Sequence, residues 1–167
     1  MIRIRAAEAG DIDQILAMNN AAVPAVSVAD RSRMVELIDL ATLAWVVDLE
    51  VDGGDRVLGG FVLLFEPGSR YDSPNYGWFV ERYERFLYVD RVVIAAEARD
   101  RGLGSQLYEA IIDEATRRGS QRVTAEVNLE PPNPGSSRFH RRMGFEAVGT
   151  LSPGAGYTVE MLSRPTD

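Results

Sequence analysis

Two arginines and two glycines lie close together after the apolar run Phe86–Ile94, in the order Arg99, Arg101, Gly102 and Gly104. The first turn of a helix has backbone N–H groups without partners and carries a partial positive charge. Glycine lets the backbone approach a ligand closely, and arginine adds cationic hydrogen-bond donors. This spacing therefore predicts an anion-binding turn between a strand and a helix, a structure that can bind phosphate.

The residues after this turn predict an amphipathic helix that runs to Arg118, with Gly119 suited to end it. Its apolar residues recur at helical spacing: Leu103, Leu107, Ala110, Ile111 and Ala115.

Two other glycine motifs that bind phosphate groups are excluded at this turn. A P-loop needs a lysine, which the sequence does not contain, and a dinucleotide fingerprint, GxGxxG, needs three glycines, of which Gly102 and Gly104 are only two. A tight turn with no ligand remains an alternative.

The turn at residues 99–104 has the pattern RxxGxG, formed by Arg99, Gly102 and Gly104. A second motif, NPGSSRFHRRMGF, follows it at residues 133–145. In order and spacing, the two motifs resemble those of the GNAT superfamily of acyl-CoA-dependent N-acetyltransferases. Residues 86–151 carry the resemblance, and the first 85 residues share only the order of elements. His140 departs from the family pattern, which has a tyrosine there. The positions that match are Asn133, Ser136, Phe139 and the ending Gly144-Phe145.

The resemblance implies acetyl-CoA as the co-substrate. It assigns the pyrophosphate to the turn and places Asn133 and Ser136 on a helix beside the pantetheine arm. The backbone of the preceding strand would bind the pantetheine and polarise the thioester carbonyl. A bulge that splays this strand from the next one is also implied. The implied cofactor residues are Val92, Val93, Ile94, Arg99, Asp100, Arg101, Gly102, Leu103, Gly104, Ser105, Asn133 and Ser136.

Attack of an amine on a thioester requires removal of a proton, because an alkylammonium has a pKa of about 10.4. Asp90 is a candidate base, since related enzymes often carry a glutamate on this strand, and Tyr88 lies two residues earlier on the same face. An ion pair of Asp90 with a nearby arginine is the alternative. His140 replaces the tyrosine that protonates the leaving thiolate in the family, and its ordinary pKa near 6.5 suits that role. A half-exposed polar histidine with no catalytic role is the other possibility.

Composition limits the class of protein. The 46% hydrophobic and 26% charged residues indicate one globular domain over residues 1–167. No apolar run is long enough for a membrane span, and no signal-like start is present, so we expect a cytoplasmic protein without membrane contact. The absence of cysteine and the single histidine argue against a metal site and exclude an acyl-cysteine intermediate.

The net charge of −7 argues against general nucleic-acid binding. The charge is uneven: residues 1–60 contain ten acids and five arginines, whereas residues 91–142 contain seven acids and nine arginines. The predicted anion site therefore lies in the more basic part of the chain.

Hydrophobic patterning predicts a mixed, strongly curved and partly splayed sheet of about seven strands, flanked by about four helices, in the α/β (α+β) class. The predicted strands are residues 2–6, 43–51, 57–65, 86–94, 122–127, 145–151 and 157–162. The predicted helices are residues 11–20, a segment capped by Asp30 or Ser32 that ends at Leu40, the helix after the turn, and residues 136–143. Residues 67–82 are predicted to be a loop.

The acceptor is not identified by the sequence. Residues 71–83 concentrate aromatic side chains and are interpreted as a substrate lid, a core segment or a homodimer interface. A small amine, a protein N-terminus or a protein lysine each fits as acceptor. Two alternatives to an enzyme remain: a non-catalytic acyl-CoA-binding module of the same fold, and an unrelated α/β protein with a chance RxxGxG.

Overall fold

The computed structural model describes residues 2–167, which form seven strands and five α-helices. The strands are β1 (Ile2–Ala6), β2 (Leu43–Glu50), β3 (Arg56–Phe65), β4 (Phe86–Ile94), β5 (Arg122–Glu130), β6 (Glu146–Gly154) and β7 (Tyr157–Pro165). The helices are α1 (Ile12–Ala21), α2 (Arg31–Leu40), α3 (Pro74–Val80), α4 (Leu103–Arg117) and α5 (Pro134–Arg142). Short 3-10 turns precede α1, at Ala9–Asp11, and α4, at Ala96–Ala98.

The strands form one seven-stranded sheet in the order β1-β2-β3-β4-β5-β7-β6. β4 and β5 are parallel, whereas β1, β2 and β3 form antiparallel neighbours, as do β5, β7 and β6. This mixed α+β architecture confirms the predicted fold class. Within the described residues, no helix has the length and apolar character needed to cross a membrane.

One predicted loop was wrong. Residues 67–82 contain the helix α3, so residues 2–167 form five α-helices where about four were predicted. Ser73 caps this helix by accepting a hydrogen bond from the backbone N–H of Tyr76, and Pro74 occupies its first turn. Proline and glycine in this segment favoured a loop at the sequence level, but proline is well suited to the first turn of a helix. Burial of Tyr76 and Phe79, which are 2% and 0% exposed, stabilises the short helix.

The described residues form two compact units, residues 2–64 with 91–107, and residues 65–90 with 108–167. In the first unit, the Arg5 guanidinium binds Asp11 and Asp48, each at 2.8 Å, and so fixes the chain between β1, β2 and the first 3-10 turn. This ion pair holds the pKa of Asp11 below its usual range. The one-domain expectation remains a prediction.

The segment between α1 and α2, also in the first unit, is held by hydrogen bonds from polar side chains, of which Arg91 and Asn19 are buried. The Arg91 guanidinium donates to Oδ1 of Asn19 at 2.8 Å and to the backbone carbonyl of Ser27 at 2.7 Å. Asn20 bonds both the N–H and the carbonyl of Ala29. These bonds satisfy the backbone of a segment that has little regular structure of its own.

In the second unit, β4 pairs with β5 from Phe86–Arg122 to Tyr88–Thr124. Aromatic side chains pack on this part of the sheet, and the ring centroids of Tyr76 and Tyr88 lie 5.7 Å apart. Phe65 stacks on Tyr71 at 4.5 Å. Part of the aromatic segment 71–83 therefore belongs to the core of this unit.

Candidate active site

The predicted anion-binding turn has the backbone conformation that its sequence requires. Gly102 has a φ of +73°, in the left-handed region that favours glycine, and Asp100 has a φ of +64°. The carbonyl of Gly102 accepts the N–H of Gln106 at 3.2 Å, so α4 begins immediately after it. Leu103 is 3% exposed and anchors the helix start, whereas Arg99 and Arg101 are exposed. The turn therefore presents two cationic side chains at the first turn of a 15-residue helix.

The end of β4 is fixed closely against β3 within the first unit. The N–H of Ala95 donates to the carbonyl of Gly59 at 2.8 Å. A Cβ on Gly60 would lie 2.7 Å from the backbone oxygen of Val93, so only glycine fits there without movement. Val93 is buried, and Val92 and Ile94 are partly exposed. Gly59 and Gly60 were not identified in the sequence; their signal was a glycine pair inside a strand, which marks a close backbone approach.

The second motif folds as α5, and two of its matching residues shape the helix start. Asn133 is the N-cap, with its side-chain oxygen 3.4 Å from the N–H of Ser136. The N–H of Asn133 donates to the carbonyl of Asn128 at 3.2 Å. These contacts give the asparagine a structural reason for its position before a helix.

His140 lies inside the protein and not on its surface. Its side chain is 4% exposed and packs edge-to-face against Tyr108, Phe139 and Phe145. Nδ1 lies 2.8 Å from the backbone carbonyl of Ser136, which can only accept, so Nδ1 carries the proton. Nε2 then accepts the hydroxyl hydrogen of Tyr108 at 2.7 Å. Burial lowers the pKa of His140, and the neutral imidazole is favoured.

The two candidate bases belong to one polar cluster in the second unit. The Tyr88 hydroxyl lies 2.7 Å and 2.8 Å from the two carboxyl oxygens of Glu126 and 3.3 Å from Oδ1 of Asp90. Tyr71 donates its hydroxyl hydrogen to the same Asp90 oxygen at 2.9 Å. The amide of Asn75 donates to Oε1 of Glu126 at 3.1 Å. We call these five residues the acid–tyrosine cluster.

Two titratable groups of the cluster, Glu126 and Tyr88, have raised pKa values. Burial, and next the charge of Asp90, raise the pKa of Glu126 to about 8. Burial also raises the pKa of Tyr88 well above its ordinary value, with Glu126 and Asp90 adding to the shift. Glu126 and Asp90 both remain partly exposed. The cluster can therefore hold or release a proton near neutral pH, as a general base must.

Sequence reasoning missed three members of the cluster, Glu126, Tyr71 and Asn75, and also Tyr108. A signal for Glu126 existed, because Thr124, Glu126 and Asn128 alternate with apolar residues along β5 and so share one face. Tyr71 and Asn75 come from a segment predicted to be a loop, where no periodic pattern indicates which way a side chain points. Among the described residues, no group of three or more potential ligands is placed to hold a metal ion.

Known proteins resemble this chain in sequence motif and in fold. Residues 17–145 match the model of the Acetyltransferase (GNAT) family. An N-acetyltransferase from Staphylococcus aureus Mu50 has 21% identity and a TM-score of 0.71, with 100% of this chain and 99% of that chain covered. None of the curated proteins matches the sequence.

Two further solved structures share the fold. The ribosomal-protein-S18-alanine N-acetyltransferase from Escherichia coli has 14% identity and a TM-score of 0.72, with coverage of 100% and 95%. The yncA structure from Salmonella typhimurium, solved with its cofactor acetyl-CoA, has 20% identity and a TM-score of 0.70, again with coverage of 100% and 95%.

Proposed function

From the premise that the chain belongs to the acetyltransferase (GNAT) family, we propose that it transfers an acetyl group from acetyl-CoA to an amine acceptor. The observation that carries this proposal is the turn at the start of α4, where Gly102 adopts a left-handed conformation after two exposed arginines, Arg99 and Arg101. That turn has the backbone and the charge that a pyrophosphate requires.

In this proposal, residues Arg99 to Ser105 bind the phosphates and the backbone of Val92, Val93 and Ile94 binds the pantetheine. The tight packing of Gly60 on Val93 supports a rigid strand end for this purpose. Asn133 and Ser136 are proposed to lie beside the pantetheine arm at the start of α5. Acetyl-CoA bound to the yncA structure is consistent with this use of the fold.

The acceptor amine is proposed to bind at the acid–tyrosine cluster. An alkylammonium at pH 7 must lose a proton before it can attack the thioester. Asp90 remains the candidate base, Tyr88 orients the carboxyl groups, and Glu126 is added as the group with a pKa near neutrality. Attack by the neutral amine forms the nitrogen–carbon bond and expels the thiolate. Transfer is direct, because the chain has no cysteine to carry an acyl group.

His140 has two possible roles, and they differ in what they require. As the acid for the leaving thiolate, it must carry a transferable proton, which its lowered pKa and its two hydrogen bonds oppose. As a positioning residue, it needs only the contacts already described. The thiol of coenzyme A has an ordinary pKa of about 8.5 and can leave without an acid. The acid role is retained as a hypothesis for direct test.

A second function, binding of acyl-CoA without turnover, is supported by one observation. The family's tyrosine is replaced by His140, whose ring nitrogens both have protein partners. In that case acetyl-CoA would bind, but no amine would cause release of the thiol.

The acceptor class is also open between a small amine, a protein lysine and a protein N-terminus. The alanine N-acetyltransferase of the same fold favours the last. Cytoplasmic location and homodimer formation remain predictions.

The deciding experiment is calorimetric titration of the full chain with acetyl-CoA, followed by an assay of thiol release with a panel of amines. Binding at one per chain with a micromolar dissociation constant, and release with at least one amine class, would support the enzyme. Binding without release for peptides with a free N-terminus, lysine peptides and small polyamines would support the binding module. The absence of binding up to millimolar acetyl-CoA would overturn both functions.

A further inference from the structure

The Tyr88 hydroxyl has one hydrogen but lies within hydrogen-bond distance of three carboxyl oxygens. Its oxygen is 2.7 Å from Oε2 and 2.8 Å from Oε1 of Glu126, and 3.3 Å from Oδ1 of Asp90. Asp90 and Glu126 stand on neighbouring parallel strands, two residues beyond the Tyr88–Thr124 pair. The hydroxyl therefore lies between two acids and can donate to only one of them at a time.

The hydrogens available in the cluster fit one protonated acid and not two ionised ones. If both acids were ionised, the Tyr88 hydrogen would serve one, and the other oxygen–oxygen contact would have no hydrogen between two electron-rich atoms. A proton on Glu126 removes this conflict. Glu126 then donates to the Tyr88 oxygen, Tyr88 donates to Asp90, and Tyr71 donates to Asp90 from the other side. Each of these three pairs of residues then shares one hydrogen, and Oε1 of Glu126 accepts from the amide of Asn75.

Two buried acceptors near the acids lack donors in the described part of the chain. Oδ1 of Asn75 belongs to the amide whose nitrogen bonds Glu126, and it has no hydrogen-bond partner there. Oγ1 of Thr124 is also unpartnered, in a side chain that is 0% exposed. Thr124 lies two residues before Glu126 on the same face of β5, opposite Tyr88 in the register. An alkylammonium supplies three N–H donors and a positive charge.

We infer that Asp90, Tyr88 and Glu126 form one proton-sharing unit, which carries a single proton in the empty site and exchanges it for an acceptor bound as an ammonium cation. The inference rests on the proposed function for the identity of that acceptor. The exchange balances, because one proton leaves Glu126 for solvent as one cation binds. Before attack, the ammonium returns one proton to the Glu126 carboxylate, which leaves a neutral amine.

The residues packed around the unit come from the segment before α3, from α3 itself, from α4 and from β7. The tyrosines that face it are Tyr71, from the segment before α3, and Tyr108, from α4, whose pKa is raised in part by the charge of Glu126. On β7, the residue opposite Glu126 is the apolar Met161. Asn75 of α3 is polar but does not titrate.

The exchange predicts a distinct pH dependence for the acceptor. Below the pKa of Glu126, about 8, binding releases a proton, so affinity rises up to tenfold per pH unit. Above it, affinity levels off until the amine itself begins to lose its proton near pH 10. A site that took only the neutral amine would instead gain affinity up to pH 10. A plateau between pH 8 and 10 therefore distinguishes the two modes.

The test is carbon-13 NMR of the carboxyl groups in the full chain, titrated from pH 3 to 10 without acetyl-CoA. Assignment uses Glu126→Gln and Asp90→Asn. We expect the chemical shift of the Glu126 carboxyl carbon to titrate near pH 8. Because the proton is shared, the chemical shift of the Asp90 carboxyl carbon should show a second titration step in the same pH range. In Tyr88→Phe this second step should shrink several-fold. Tyr76→Phe is the matched control, because its buried hydroxyl bonds the backbone carbonyl of Glu66 and no carboxyl group.

The cation exchange is tested by adding methylammonium chloride, with tetramethylammonium chloride as a cation without N–H donors. Methylammonium should lower the Glu126 midpoint by at least half a pH unit, and tetramethylammonium should have a smaller effect. A Glu126 midpoint near 4.5, or no second step for Asp90, would overturn the proton sharing even if Tyr88→Phe fails to fold. An unchanged midpoint with methylammonium would overturn the exchange.

These readouts need neither cofactor nor turnover. If acetyl-CoA does not bind but the titration is as expected, the proposed function fails while the proton-sharing unit stands.

Discussion

The hydroxyl of Tyr108 bonds Nε2 of His140 at 2.7 Å, and the two residues join α4 to α5 inside the second unit. Both residues are buried, since Tyr108 is 1% exposed and His140 is 4% exposed. Because the other ring nitrogen bonds the carbonyl of Ser136, the histidine has a full set of partners as a neutral imidazole.

Replacement of Tyr108 by Phe should destabilise the protein by about 1–3 kcal/mol, because it leaves a buried nitrogen without a donor. Urea unfolding measures this, and Tyr83→Phe, at a partly exposed site, is the control. His140→Phe and the double variant complete a double-mutant cycle.

The same His140→Phe variant tests the role of the histidine in catalysis. If His140 is the acid, His140→Phe should lower kcat more than acetyl-CoA affinity and change the pH profile of kcat. An unchanged kcat and pH profile with lower stability would assign it a positioning role.

Substitution of Gly102 tests the anion site. Gly102→Glu should abolish acetyl-CoA binding, because it places a carboxylate where phosphate is proposed to bind and a side chain where φ is +73°. Gly102→Ala carries the backbone strain without the charge and should retain part of the affinity. Calorimetric titration compares the two. Equal affinity of Gly102→Glu and the unmodified protein would contradict the phosphate assignment.

Arg101→Ala should weaken binding of coenzyme A several-fold and leave binding of a pantetheine fragment nearly unchanged. The reason is that a guanidinium forms charge-assisted bonds with phosphate, which the fragment lacks. Arg56→Ala, an exposed arginine at the start of β3, is the control. Parallel titrations with both ligands measure the effect, and an equal loss for the two ligands would argue against a phosphate contact.

Gly60→Ala should destabilise the first unit and weaken acetyl-CoA binding, because the added Cβ would lie 2.7 Å from the carbonyl oxygen of Val93. Overpacking of this kind costs about 1–3 kcal/mol. Gly77→Ala is the control, since a Cβ there meets nothing within 4 Å. Urea unfolding and calorimetric titration give the two readouts. Stability and affinity equal to those of the control would show that β4 adjusts freely.

The raised pKa of Glu126 should make stability fall as pH rises. The unfolded carboxyl loses its proton near 4.5, whereas the folded one keeps it until about 8, so the native state binds more protons between these values. The slope contributed by this group is at most about 1.4 kcal/mol per pH unit. Glu126→Gln should remove it, and Glu160→Gln on β7 should not. Urea midpoints from pH 5 to 8 measure how stability changes with pH. Parallel plots of stability against pH for Glu126→Gln and the unmodified protein would contradict the raised pKa of Glu126.

The sequence by itself determined most of the elements and the turn before α4, and binding of an anion by that turn stays a prediction. Alternation, helical spacing and turn residues are local signals, so the bounds of β1 and β4 were predicted correctly. Asp30, which caps α2, was one of the two predicted caps, with Ser32 as the alternative. The glycine at position 102 could be recognised from the sequence as part of the turn, because the positive φ that it adopts is a local backbone property. Helix α3 was missed because its stability comes from the burial of Tyr76 and Phe79, which no local pattern records.

Only the tertiary structure decided which side chains meet. Asp90 and Glu126 are 36 positions apart in the sequence, yet both lie within reach of the Tyr88 hydroxyl because β4 and β5 run parallel. The burial of His140 and its bond to Tyr108 depend in the same way on how α4 and α5 pack. The pKa of a carboxyl group or an imidazole follows from burial and neighbouring charge, and these are properties of the folded chain.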